Sequence, residues 1–174
     1  MERADRNLRA LIISAMSAAL ALTLPTAFHA VGLGSSFLPM LLPLLLGGFL
    51  VPLSWAAPTA AIVPVVSSLA TGMPPMYPPI ALVMSAEAAV MAGTAAAVFA
   101  LTGGRVWPAL IAGVVLGRAT MVLLTWLVAG SFGLPATFSA AASLAQGAPG
   151  VVLQCAVVPA VLGRLRARRG PLFQ

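Results

Sequence analysis

Residues 71–79 read TGMPPMYPP and separate two long apolar runs of the sequence. This proline-rich loop holds four of the fifteen prolines of the chain and its only tyrosine. Proline fixes φ and lacks a backbone donor, so a helix does not continue through such a stretch. We therefore interpret the proline-rich loop as a stiff connection between two helices, and the apolar runs on either side of it decide the fold.

The composition places the chain in a membrane. Of its 174 residues, 61% are hydrophobic and 7% are charged, whereas about a quarter of the residues of a soluble domain are charged. The nine basic residues are all arginines and lie mostly near the two ends, which is typical of membrane flanks and predicts no nucleic-acid partner. One histidine and one cysteine cannot make a four-ligand zinc site, so we expect no metal and no cofactor.

The apolar runs predict six membrane spans. A helix needs about 20 apolar residues to cross the hydrocarbon core. Four runs approach or exceed that length: Leu8–Ala30, Ala81–Leu101, Trp107–Ala129 and Ala148–Leu165. Two shorter spans, Ser36–Val51 and Ser54–Ala70, contain prolines. Because proline frees backbone groups that lipid does not tolerate uncovered, we expect these two spans inside the bundle or along a cavity.

The arginines predict the topology, since arginine accumulates on the cytoplasmic side of short loops. Arg3, Arg6 and Arg9 lie around the start of the first span, and a second arginine cluster lies around the end of the last. Both termini are therefore predicted to be cytoplasmic, which requires an even number of spans. Six spans also put Arg105 on that side. The predicted fold class is an all-α integral membrane protein, a six-transmembrane-helix bundle forming one domain over residues 1–174.

Glu87, Arg118 and Gln154 lie well within predicted spans. Glu87 and Arg118 are ionisable, and such residues usually face the bundle interior and often pair. They either neutralise each other or bind a polar ligand, where Arg118 favours an anionic group and Glu87 a cationic or amide-bearing ring. Gln154 also needs a partner, which is either another helix or a ligand.

Further ligand candidates lie toward the outer ends of the first four spans. His29 ends the first span and is either an interfacial residue or a ligand contact. Phe37, Met40, Met73 and Tyr77 place methionine and aromatic side chains near one another. Methionine adapts to irregular apolar shapes and contacts aromatic groups well. The cluster therefore fits a flat, partly aromatic ligand, and plain core packing is the alternative.

Small residues recur every four positions on the first span, at Ala10, Ser14 and Ala18. Such a stripe lets another helix approach closely. The partner helix is not specified by the pattern.

Two stretches carry a family resemblance: FLPMLLPLLLGGFLVP at residues 37–52 and SSLATGMPP at residues 67–75. Together with six spans in fewer than 200 residues, they resemble the substrate-binding S component of energy-coupling factor (ECF) vitamin transporters. In relatives the first stretch tends to read P-M-H-x-P-V, and here Leu41 stands in the place of the histidine. The substrate therefore differs, or His29 supplies the imidazole.

The resemblance implies a division of labour. An S component captures a vitamin at the outer side of a prokaryotic cell membrane, and a separate T component with two ATPase subunits supplies the energy. Ala10, Ser14 and Ala18 would then form the T-component docking face, and the proline-rich loop would close over the substrate. A phosphate-binding loop needs a lysine, and this chain has none, which agrees with separate ATPases.

The sequence thus predicts a membrane-embedded subunit for capture of a vitamin or related micronutrient. Two alternatives stay open, a solitary vitamin uptake facilitator and a membrane scaffold protein that transports nothing. An enzyme is not expected. His29, Glu87 and Cys155 lie on different spans and make no recognisable set of nucleophile, base and orienting group.

Overall fold

The computed structural model describes residues 2–30, 39–132 and 140–169. All regular structure in these ranges is helical, as the sequence predicts. The six helices are α1 (Glu2–Ala30), α2 (Leu41–Gly48), α3 (Leu53–Thr71), α4 (Ile80–Leu101), α5 (Val106–Phe132) and α6 (Ala140–Arg169).

Five of the helices, α1 and α3 to α6, are long and apolar enough to cross a membrane. The chain is therefore a multi-pass helical membrane protein. The predicted span Ser36–Val51 lies partly outside the described residues, and its described part contains only the eight-residue α2. At 1.5 Å per residue, α2 is about 12 Å long and does not cross the hydrocarbon core by itself.

The two proline-containing segments differ in their burial. Helix α2 lies inside the bundle, as expected, with most of its residues buried. The expectation is wrong for α3, which exposes Ile62 and Leu69 on its outer face. Pro64 removes the donor for the carbonyl of Ala60, and both residues are buried. Neighbouring helices therefore need to cover the free carbonyl group on one face of α3 only, and the other face can be exposed.

Helix α4 lies at the centre of the bundle and packs against α2, α3 and α5. Glycines on two of these neighbours bring their backbones close to it. A Cβ atom on Gly113 would lie 2.8 Å from the carbonyl oxygen of Met91, and one on Gly117 would lie 2.8 Å from the Met91 Cβ. A Cβ atom on Gly48 would lie 2.6 Å from the carbonyl oxygen of Ala92. No larger residue fits at these positions without a shift of the helices.

Helix α1 packs on α2 and α3 through small side chains. The buried residues of its inner face are Ala10, Ser14, Ser17 and Ala21. At one contact, a Cβ atom built on Gly47 would lie 2.7 Å from Ser17 Oγ. The opposite face is exposed and consists of larger apolar residues: Leu8, Leu11, Ile12, Met16 and Leu20. The inner face of α1 is thus the small-residue face.

Two contacts show how the helices run. Ala10 belongs to one buried cluster with Val51, Ala56 and Ala96. The first halves of α1 and α3 therefore lie at the same end of the bundle as the end of α4, and α1 and α3 run in the same direction. At that end, Arg166 of α6 also donates to the carbonyl oxygen of Gly104 in the α4–α5 connection. The arginines at the start of α1, in the α4–α5 connection and at the end of α6 thus share one end, which we call the arginine end.

The contact between α4 and α5 predicts that substitution of one glycine of α5 lowers the stability and that substitution of another does not. We expect Gly113→Ala to lower the stability by about 1–3 kcal/mol, because the added methyl group meets the backbone of Met91. Gly130→Ala is the matched control, since nothing lies within 4 Å of a Cβ atom built there. Thermal unfolding in detergent, followed by tryptophan fluorescence, measures both. An equal Tm for the two variants would contradict the close approach of α4 and α5.

Candidate functional site

An ion pair joins α4 and α5 inside the bundle. Nη2 of Arg118 contacts Oε1 of Glu87, and the two residues are only 7% and 1% exposed. The sequence left two roles open for Glu87 and Arg118, mutual neutralisation and binding of a polar ligand. In this structure the two residues neutralise each other. Burying a charge is expensive unless it is paired, so each of the two residues needs the other once both are buried.

The local sequence explains why these two side chains meet. Glu87 lies one helical turn before Met91, and Met91 packs against Gly117. Because Gly117 has no side chain, the backbone of α5 comes close to α4 at this level. Arg118 follows directly and reaches the carboxylate. The glycine beside the arginine was not recognised as part of the site from the sequence, although small residues are the usual signal of close helix contact.

The guanidinium group of Arg118 has donors beyond the ion pair. Its Nη1 donates to the sulfur of Met121, 3.3 Å away, and a thioether is a weak acceptor. Its Nε is buried and has no hydrogen-bond partner among the described residues. Met121 lies three residues after Arg118 and is therefore its helical neighbour, a spacing that would have revealed this contact.

Gln154 is 1% exposed, and neither its Oε1 nor its Nε2 has a hydrogen-bond partner among the described residues. The predicted helix-to-helix hydrogen bond is therefore not seen in the described part of the chain. An unpaired buried amide lowers stability, because its groups lose their hydrogen bonds to water.

The level of Gln154 in the bundle follows from a contact at the arginine end. The guanidinium group of Arg166 lies over the ring of Phe99, 5.5 Å from the ring centre. Glu87 precedes Phe99 by twelve residues, and Gln154 precedes Arg166 by twelve. At 1.5 Å per residue, Glu87 and Gln154 each lie roughly 18 Å from that contact. We call Glu87, Arg118 and Gln154 the polar layer.

Of the other predicted ligand residues, Met40, Met73 and Tyr77 lie in the part of the chain that the structure describes. Met40 is buried in the apolar core, where it packs as a core residue. Met73 and Tyr77 are 54% and 80% exposed in the proline-rich loop. The side chain of His29 and the whole of Phe37 lie outside what the structure describes.

Hydrogen bonds hold the proline-rich loop at both of its ends. Gly72 ends α3 with φ at +74°, a left-handed conformation that favours glycine. Ser67 Oγ donates to the carbonyl oxygen of Met73 at 2.7 Å, and the Ala81 amide donates to the carbonyl oxygen of Pro75 at 3.0 Å. The loop thus has a bonded shape, and it presents Met73 and Tyr77 outward.

The small-residue stripe of α1 makes its close contact within the chain. Ala10 and Ser14 are buried, and Ala18 packs against the core. The neighbours on this side of α1 are α2 and α3. A partner protein that docked on these three residues would therefore have to displace α1 from α2 and α3.

The fold and the polar layer define a class, a multi-pass helical membrane protein with an ion pair and an amide buried among its helices. In the part of the chain that the structure describes, no three His, Cys, Asp or Glu residues lie close enough to hold a metal ion. No protein family, no curated protein and no solved structure matches this chain.

The ion pair predicts non-additive mutational effects. We expect Glu87→Gln and Arg118→Gln each to lower the stability by about 3–5 kcal/mol, because each leaves one buried charge without its partner. The double variant should lose less than either single variant, since it buries no charge. Thermal unfolding of the purified protein in detergent tests this with a double-mutant cycle.

Thr120→Val is the control for the double-mutant cycle. It removes a hydroxyl group two residues from Arg118, and this group bonds only within its own helix, to the carbonyl oxygen of Leu116. We expect its Tm to stay near that of the wild type. A loss in the double variant equal to the sum of the two single losses would show that Glu87 and Arg118 act independently.

Proposed function

We propose that this chain is a membrane-embedded substrate-capture subunit for uptake of a vitamin or related micronutrient, working with a T component and two ATPase subunits. The observation that carries the proposal is the polar layer. Ionisable and polar residues are expensive within a membrane and usually mark a binding site or a transport path. For packing alone, apolar residues of similar volume are often as good or better.

The proposed topology has six crossings, both termini in the cytoplasm, and the arginine end facing inward. Two observations support it. The arginines of the two termini and of the α4–α5 connection lie at one end of the bundle, where the positive-inside rule expects them. Helices α1 and α3 run in the same direction, which six crossings require of the first and third spans. The membrane in this proposal is the cell membrane of a prokaryote.

The proline-rich loop then lies at the outer end, beyond the polar layer. In the proposed mechanism it closes over the substrate, and Met73 and Tyr77 supply apolar and aromatic contacts. Its hydrogen bonds to the ends of α3 and α4 support this role, because a loop already held in shape loses less entropy on binding. Reorientation of the bundle after capture would release the substrate inside.

The ATPase partners are those that the resemblance implies, and the absence of lysine, without which the chain has no phosphate-binding loop, agrees with them. In the proposed complex, the T component docks on α1. The accessible face of α1 is its outer face, which includes Leu11 and Met16. Docking through Ala10, Ser14 and Ala18 stays a prediction, and it requires α1 to separate from α2 and α3.

The capture function predicts a bound small molecule. Mass spectrometry of what co-purifies with the protein, followed by thermal-shift titration with a panel of vitamins and precursors, should identify a compound that raises Tm. A ligand that binds only the folded state stabilises it by mass action. In cells, Glu87→Ala, Tyr77→Ala and His29→Ala should each reduce uptake of that compound, while Thr120→Val should not.

The alternatives predict different results. A solitary facilitator keeps its uptake in cells without the ATPase subunits, whereas the proposed subunit loses it. A membrane scaffold binds no member of the panel. If nothing binds, and the three alanine variants transport as the wild type does, the capture function is wrong.

A further inference from the structure

The polar layer has hydrogen-bonding capacity that its own residues leave unused. Arg118 Nε and Gln154 Nε2 are donors, and Gln154 Oε1 is an acceptor. All three atoms are buried without a hydrogen-bond partner among the described residues. The carboxylate of Glu87 adds acceptor positions, since two oxygens accept more than one hydrogen bond. The layer thus offers both donors and acceptors at one level of the bundle.

The charge of the layer is balanced. Glu87 and Arg118 neutralise each other, and no third charged side chain is buried in the part of the chain that the structure describes. An anionic or cationic group bound here would leave one charge uncompensated in a medium of low dielectric constant. Such a charge is far more costly than a neutral polar group that forms hydrogen bonds. The balance therefore favours a neutral ligand group.

From these two observations we propose that the polar layer binds the neutral edge of a carboxamide, lactam or ureido group in a small molecule. The carbonyl oxygen of this group accepts from Arg118 Nε or Gln154 Nε2, and its N–H donates to Gln154 Oε1 or to Glu87. The inference rests on the proposed capture function and names the substrate class of the same site. Considered separately, Arg118 favours an anionic group and Glu87 a cationic or amide-bearing one. The ion pair as a whole favours the amide-bearing group, because a charged ligand would leave one charge without a partner.

Gln154 distinguishes ligand binding from packing. A glutamine that served only the fold would stabilise the empty protein through its hydrogen bonds. This glutamine has no such bonds among the described residues, so it should lower the stability of the empty protein. Binding residues often sacrifice stability in this way. Gln154→Leu should therefore raise or preserve Tm while it weakens binding.

The test uses the purified wild-type protein in detergent and a defined equimolar mixture. Nicotinamide, biotin, riboflavin and uracil carry a neutral amide-type edge, whereas nicotinate, benzoate and pyridoxine do not. Mass spectrometry after gel filtration shows which compounds stay bound. Thermal shift with millimolar nicotinamide and nicotinate then compares two ligands that differ only in the carboxamide and carboxylate groups. We expect retention from the first set and a larger Tm shift with nicotinamide.

The variants complete the test. Gln154→Leu should weaken binding of the retained compound about tenfold, the loss expected for hydrogen bonds to a neutral group. Ala156→Leu is the matched control, since it adds the same side chain on the exposed side of α6 and should change neither Tm nor binding.

The possible failures are distinguishable. Retention of nicotinate, benzoate or pyridoxine alone overturns the neutral-edge proposal and leaves the capture function standing. Retention of nothing from the mixture, and of nothing from a complete vitamin panel, contradicts both. A Gln154→Leu variant with lower Tm and unchanged affinity shows that Gln154 serves the fold, and it also overturns the neutral-edge proposal.

Discussion

The close approach of α4 and α5 is the contact on which the rest of the structure depends. Lipid is as apolar as the side chains of the helices, so helices in a membrane associate through packing and polar contacts more than through the hydrophobic effect. Gly113 and Gly117 bring the backbone of α5 to α4 at Met91. This approach also sets the distance across which Arg118 reaches Glu87. One pair of small residues therefore provides both the packing and the site.

The arginine end closes the bundle by a different kind of contact. Phe49, just after α2, meets the ring of Phe99 edge to face, with the ring centres 5.2 Å apart. Arg166 covers the same ring and bonds to Gly104. Ends of α2, α4 and α6 are thus joined by one aromatic and cationic cluster. The polar layer lies roughly 18 Å from this cluster, so buried polarity and the charged end are separated by an apolar layer.

The sequence predicted most of the helices because the length of an apolar run directly reports a membrane span. It singled out Glu87 and Arg118, because charges within a span are rare, but it left open whether they pair or bind a ligand. It did not show that α3 would expose one face, since proline frees a carbonyl on one side of a helix only. It did not identify the partner of the stripe on α1 either. A pattern of small residues predicts that another helix packs closely on α1. It does not say which helix, because the residues on the other side of the contact, in α2 and α3, are distant in the sequence.

The small residues of the α1 inner face have a mechanical consequence. Ala10, Ser14, Ser17 and Ala21 meet α2 and α3 without long side chains that interlock. Short side chains have few rotamers to disturb, so we expect a displacement of α1 along its axis to meet less steric resistance than interlocked long side chains would give. Around α4, by contrast, glycine backbones enclose Met91 and Ala92 tightly. The bundle thus combines the close backbone contact of α4 with α5 and an edge helix, α1, that meets its neighbours through short side chains.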